Sequence, residues 1–89
     1  MARPLTYHQR RGLDTRIVDG EAFVITRTTI QHLNPVATVI WLALEQSSTR
    51  REVLDILGGL YPEVERATLS TDLNRSLAML RNIGLVTAR

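Results

Sequence analysis

Asn34-Pro35 constrains this chain more than any other pair of residues. Proline lacks an N–H and fixes φ, so it fits the first position of a helix, where that N–H would have no partner. Asparagine immediately before it is a strong N-cap, because its side chain accepts a bond from an early helical N–H. Proline also excludes the preceding residue from the α region. The chain must therefore reach Asn34 extended and leave Pro35 helical. Hydrophobic patterning agrees, with short β-branched runs before the junction and helical spacing after it.

Upstream, Thr15–Val18 and Glu21–Ile25 flank Asp19-Gly20. Asp-Gly between β-branched runs predicts a hairpin, since a type I′ turn needs positive φ at both central positions. A second reversal near Thr26-Arg27 leads into a third strand, Thr28–His32. Residues 1–13 (MARPLTYHQRRGL) are polar and basic with Pro4 and Gly12 as breakers, and are expected to form a flexible basic arm before a single domain over 14–89.

Downstream, the first helix is expected from Pro35 to about Glu45, with Val36, Val39, Ile40, Ala43 and Leu44 on one stripe that Trp41 and Leu42 widen. Thr49 and Glu52 have capping-box spacing, and the helix they open carries Val53, Leu54, Leu57 and Leu60. Gly58-Gly59 weaken its end and Tyr61-Pro62 stop it. A third helix starts between Arg66 and Thr68 and runs to Asn82, with Leu69, Leu73, Leu77 and Leu80 as its core stripe. If that helix starts near Thr68, Asp72 lies early in it, where the dipole favours a negative charge. Gly84 fits a left-handed C-cap. The fold class is α+β: a three-stranded antiparallel meander followed by three helices.

Composition narrows the chemistry. Among 89 residues there is no cysteine, which excludes a disulfide framework, a thiolate metal site and a thiol nucleophile. His8 and His32 are too far apart for a local ligand pair, and Gly58-Gly59 has neither the lysine nor the following helix of a phosphate loop. The expectation is a non-enzyme without metal or cofactor. No apolar run reaches the roughly 18 residues that span a bilayer, so no membrane association and a cytoplasmic location are expected. The net charge of +2 arises at the N-terminus. All eleven basic residues are arginine, four of them (Arg3, Arg10, Arg11, Arg16) within the first sixteen, and from Asp19 onward seven arginines face eight acids.

His32-Leu33-Asn34, Ile40-Trp41, Ser48-Thr49, Glu52-Val53, Leu57, Tyr61, Asp72 with Leu77 and Leu80, and Gly84-Leu85-Val86 occur in an order that resembles the PqqD family, the small peptide chaperones also called RiPP recognition elements. The resemblance covers about residues 15–87. It implies a winged-helix-like fold that binds the leader of a ribosomally made precursor peptide and presents it to a modifying enzyme, often a radical SAM protein. It implies that the leader adds as a strand to the edge of the third strand, here Thr28, Thr29, Ile30, Gln31 and His32. It also implies a groove wall from the third helix, here Asp72, Arg75, Ser76 and Met79. The chain departs from PqqD itself in lacking an aromatic, Gln-containing first hairpin and a Pro-Glu-Gly segment before the third strand. It therefore looks like a stand-alone relative rather than the coenzyme-pathway protein.

Strand addition is consistent with the residues alone, because Thr28–His32 contains neither the lysine nor the proline that commonly blunts an exposed edge. Two alternatives stay open at this level. One is a DNA-binding winged helix using Arg50, Arg51, Arg66, Arg75 and Arg81, although a nearly neutral folded part attracts phosphate weakly. The other is a structural module that forms a homodimer by exchanging strands.

Overall fold

The computed structural model describes residues 3–89. Strands β2 (Asp14–Val18) and β3 (Glu21–Ile25) pair antiparallel from Val18↔Glu21 to Asp14↔Ile25. Asp19 and Gly20 adopt φ values of 50° and 78°, the positive pair that a type I′ turn requires. Strand β4 (Ile30–His32) adds to the far side of β3, giving the order β2-β3-β4.

That third strand is shorter than expected, because Thr28 and Thr29 are not part of it. The Thr26 hydroxyl accepts from the N–H groups of Thr28 (3.2 Å) and Thr29 (2.9 Å), and Thr26 N–H donates to the Thr29 carbonyl at 2.9 Å. Local side chain-to-backbone bonds compete with ladder bonds, and here they convert a threonine-rich stretch into a turn.

The helices follow their end signals closely. Helix α1 (Pro35–Ala43) begins as expected, with extended Asn34 accepting from Ala37 N–H at 2.8 Å. It ends before Glu45, because Leu44 N–H reaches both the Ile40 and Trp41 carbonyls and tightens the last turn. Helix α2 (Arg50–Leu60) has the full capping box. Glu52 N–H donates to Thr49 Oγ1 at 3.2 Å, and Thr49 N–H donates to Glu52 Oε1 at 2.8 Å. Helix α3 spans Arg66–Asn82. Of the two expected starts it takes the earlier, Arg66, which places Asp72 in the second turn, beyond the first turn where the helix dipole favours a negative charge. At its end, Gly84 (φ 80°) and Leu85 donate to the Arg81 and Leu80 carbonyls, the paired bonds of a Schellman motif.

A second sheet departs from the sequence reading. Strand β1 (Thr6–Gln9) lies between β5 (Ser48–Thr49) and β6 (Val86–Ala88), with Thr6↔Thr49 and Tyr7↔Ala88 in register. Thr6–Gln9 is thus part of the fold rather than of a free arm, and only Met1 and Ala2 of the expected arm lie outside the described residues. The reason is visible at Gln9. Its N–H donates to the Leu44 carbonyl at 3.2 Å, and its side-chain amide donates to the Trp41 carbonyl at 2.7 Å. Helix ends leave carbonyls without intrahelical partners, and β1 supplies donors to those of α1. Among the described residues the fold is α+β, with two three-stranded antiparallel sheets and three helices.

The core joins the meander to all three helices. Fully buried Trp41 belongs to one core cluster with Val24, Leu33, Ile40, Leu57, Leu73 and Leu80. Its indole N–H donates to Thr15 Oγ1 at 2.9 Å, tying α1 to β2. Buried Thr38 performs a related task on β3. Its hydroxyl accepts from Ala22 N–H at 2.8 Å and donates to the Leu33 carbonyl at 3.3 Å, bridging two groups that would otherwise pair as β4 leaves the sheet. The Thr38→Val variant has nearly the same shape but leaves both groups unsatisfied. Urea denaturation should show it destabilised by about 1–3 kcal/mol.

Candidate functional site

The open side of β4 begins the site. In an antiparallel pair, successive residues alternate between pointing their backbone groups toward the partner and away from it. Leu33 N–H donates to the Ala22 carbonyl, and the Thr26/Thr29 pair is bonded at the other end. With Val24 opposite Gln31 in the same alternation, Thr29, Gln31 and Leu33 face β3. Ile30 and His32 therefore direct their N–H and C=O groups outward, and among the described residues β4 pairs with β3 alone.

Side chains divide the opposite way, by face. Gln31 lies across from buried Val24 and faces the helical side of the sheet. Ile30 and His32 lie on the other face. There the His32 ring stacks on Phe23 with centroids 4.7 Å apart, and its Nε2–H donates to Glu21 Oε1 at 2.8 Å. His32 thus offers its backbone to the edge while its side chain is committed elsewhere. Ile30 is 65% exposed.

Two hollows flank this edge. One is lined by Asn34, Pro35 and Val36 together with Asp72, Arg75 and Ser76 of α3. The other is lined by Thr28, Thr29 and Gln31, by Ile83 and Gly84 at the end of α3, and by the Arg10–Leu13 segment. Chain direction is reversed between the two elements: β4 runs toward the first hollow and α3 runs away from it. Along α3, Asp72, Ser76, Met79 and Ile83 follow one another at spacings of four, three and four, beside the core stripe. From Asp72 to Ile83 the helix rises about 16 Å. That length corresponds to about five residues of extended chain.

Of the residues singled out in the sequence, Asp72, Arg75 and Ser76 line the first hollow, and Thr28, Thr29 and Gln31 line the second. Met79 is half-buried and packs against the core. Val36, Ile83, Gly84, Arg10 and Arg11 also border the hollows but were not singled out. Ile83 was detectable as the next member of the 72–76–79 stripe. The two N-terminal arginines had no such signal, because β1 brings them there through pairing across most of the chain.

Residues 17–86 match the family model of PqqD, Coenzyme PQQ synthesis protein D. The chain belongs to the PqqD family. No curated protein matches the sequence. Among solved structures, this PqqD-family chain is similar to TbiB1 in complex with the TbiA(beta) leader peptide, with 26% identity and a TM-score of 0.78, covering 89% of this chain and 93% of that one. It also shares its fold with the PqqD truncation of Methylobacterium extorquens PqqCD, described as a functional, stand-alone RiPP recognition element. That match has 18% identity and a TM-score of 0.76, covering 92% of this chain and 88% of that one.

The arginines invoked for DNA binding are partly engaged within the fold. Arg66 pairs with Asp55 at 2.6 Å, and Arg50 donates to Asn74 Oδ1 at 2.6 Å and to Ser70. Among the described residues, no helix is long and apolar enough to cross a membrane.

Proposed function

We propose that this protein is a non-catalytic RiPP recognition element. In this reading the leader of a ribosomally made precursor peptide adds as a strand to β4, lies along α3, and is presented to a modifying enzyme, with radical SAM proteins the expected class. The observation that carries the reading is the unpaired edge of β4 beside the α3 groove, in a PqqD-family chain similar to TbiB1, whose structure holds a leader peptide. The Ile30 and His32 backbones supply main-chain bonds, each contributing about 0.5–1.5 kcal/mol, and the hollows supply side-chain selection. Thr28 has a smaller part than a regular strand residue, since its N–H is already bonded to Thr26.

The test is a titration of isotope-labelled protein with a peptide encoded by a short gene beside this one. Ile30, Gln31, His32, Asp72 and Ser76 amide signals are expected to shift together and saturate. Signals at residues 30–32 that stay in place at saturation would overturn the reading. A strand-exchanged homodimer would cover the same edge, so light scattering should report a monomer in the free protein.

A further inference from the structure

The two ends of the groove differ in charge. Asp72 and Arg75 share the hollow beside Asn34, so that end is mixed. The opposite hollow is lined by Arg10, Arg11 and Arg27 and by no acidic residue. None of these three arginines forms an ion pair among the described residues. Asp14, which follows the lining segment, is turned to Arg16 at 3.3 Å and to Thr15 N–H. Glu45 borders a neighbouring hollow with Arg10 and Arg11 but pairs with neither. Three guanidinium groups without an ion pair among the described residues thus border one concavity that Thr28, Thr29 and Gln31 also line. Guanidinium forks match carboxylates in geometry and attract them beyond contact distance.

We propose that this end of the groove selects an acidic segment in the bound peptide, placed immediately after the residues that pair with β4. The order follows from chain direction and rests on the strand-addition reading above. A peptide added antiparallel to β4 runs from the Asn34 end toward Thr28, so its C-terminal portion enters the arginine-lined hollow. An acidic run on its N-terminal side would meet Asp72 instead. Arg27 at the hairpin tip and Arg10–Arg11 from the segment after β1 approach from two sides. Selection therefore depends on the second sheet as well as on the meander.

Synthetic peptides of alternating Thr and Val provide the test, ending in a run of Glu, ending in the same number of Gln, or carrying the Glu run at the front. A short DNA duplex is the competing polyanion. Binding is read by amide shifts at Ile30–His32 and by titration at low and high salt. At low salt the Glu-ended peptide is expected to bind about tenfold tighter than the Gln-ended one, as for a few exposed ion pairs acting together. The advantage should shrink with salt, vanish for the front-loaded peptide, and fall in the exposed-site variants Arg27→Gln and Arg11→Gln. Equal affinities for the Glu- and Gln-ended peptides, with shifts at Ile30–His32 intact, would overturn the charge selection while leaving the groove reading in place. Absence of those shifts with every peptide would overturn both. Tighter binding of the duplex than of the Glu-ended peptide would assign the arginines to phosphate instead.

Discussion

Replacing Trp41 with alanine is expected to remove about 3–5 kcal/mol of stability, a large part of what a domain of this size possesses. Trp41 is fully buried in the core cluster that joins the meander to the helices, and its ring reaches β2 at Thr15. Truncation leaves a cavity that the rest of the buried core can close only partly. It also leaves Thr15 without the indole donor. A change of that size corresponds to a fall in melting temperature of about 15–30 °C. Far-UV circular dichroism is the appropriate monitor, since the protein has a single Trp and the variant has no indole fluorescence. A Trp41→Phe variant separates the contributions, keeping most of the buried area while losing the 2.9 Å bond to Thr15. Its cost should be a fraction of the alanine value. Loss of less than 1 kcal/mol in the alanine variant would show that Trp41 is not central to the core.

The second large effect is on binding. Ile30→Pro removes an N–H that points away from β3, so the β3–β4 ladder should survive. Proline is tolerated on an edge strand where its missing N–H faces solvent. An incoming strand, however, loses a main-chain bond and meets the proline ring at the position of pairing. The expected result is a melting temperature within a few degrees of the parent and a leader-peptide affinity at least about tenfold lower. Gln31→Pro is the counterpart, because Gln31 faces β3 and its N–H belongs to the existing ladder. That variant should lose stability as well as binding. An Ile30→Pro protein that folds and binds with unchanged affinity would rule out strand addition at β4.

Helix α2 shows how much of the fold a local signal can carry. Thr49 and Glu52 satisfy each other's backbone with groups only three residues apart, so the motif is complete within one helical turn. The Asp19-Gly20 turn, the Asn34 cap and the Gly84 end are local in the same sense. The family resemblance carried by the helical half was likewise readable, and the match over residues 17–86 agrees with it. Where two local signals competed, the sequence was ambiguous. Thr28-Thr29 has high strand propensity, but the Thr26 hydroxyl offers both N–H groups a nearer acceptor. The start of α3 was open between Arg66 and Thr68 for a related reason. Glu65 opens α3 without a side-chain cap bond, so no sequence signal marked its start.

The candidate site divides along the same line. Asp72, Arg75 and Ser76 followed from the family resemblance; periodicity assigns the neighbouring leucine stripe of α3 to the core but leaves several faces open for a groove. The sequence by itself determined the Asp19-Gly20 hairpin, the presence of three helices, the caps at Asn34, Thr49 and Gly84, and the face of α3 that borders the core. Tertiary structure alone decided that Thr6–Gln9 joins β5 and β6, and that Arg10 and Arg11 arrive beside Thr28 and Ile83. Those strands are two to four residues long. Segments so short carry little periodicity, and their stability comes from partners far away in the chain. The donors that Gln9 supplies to Trp41 and Leu44 exist only after α1 has formed and exposed its last carbonyls.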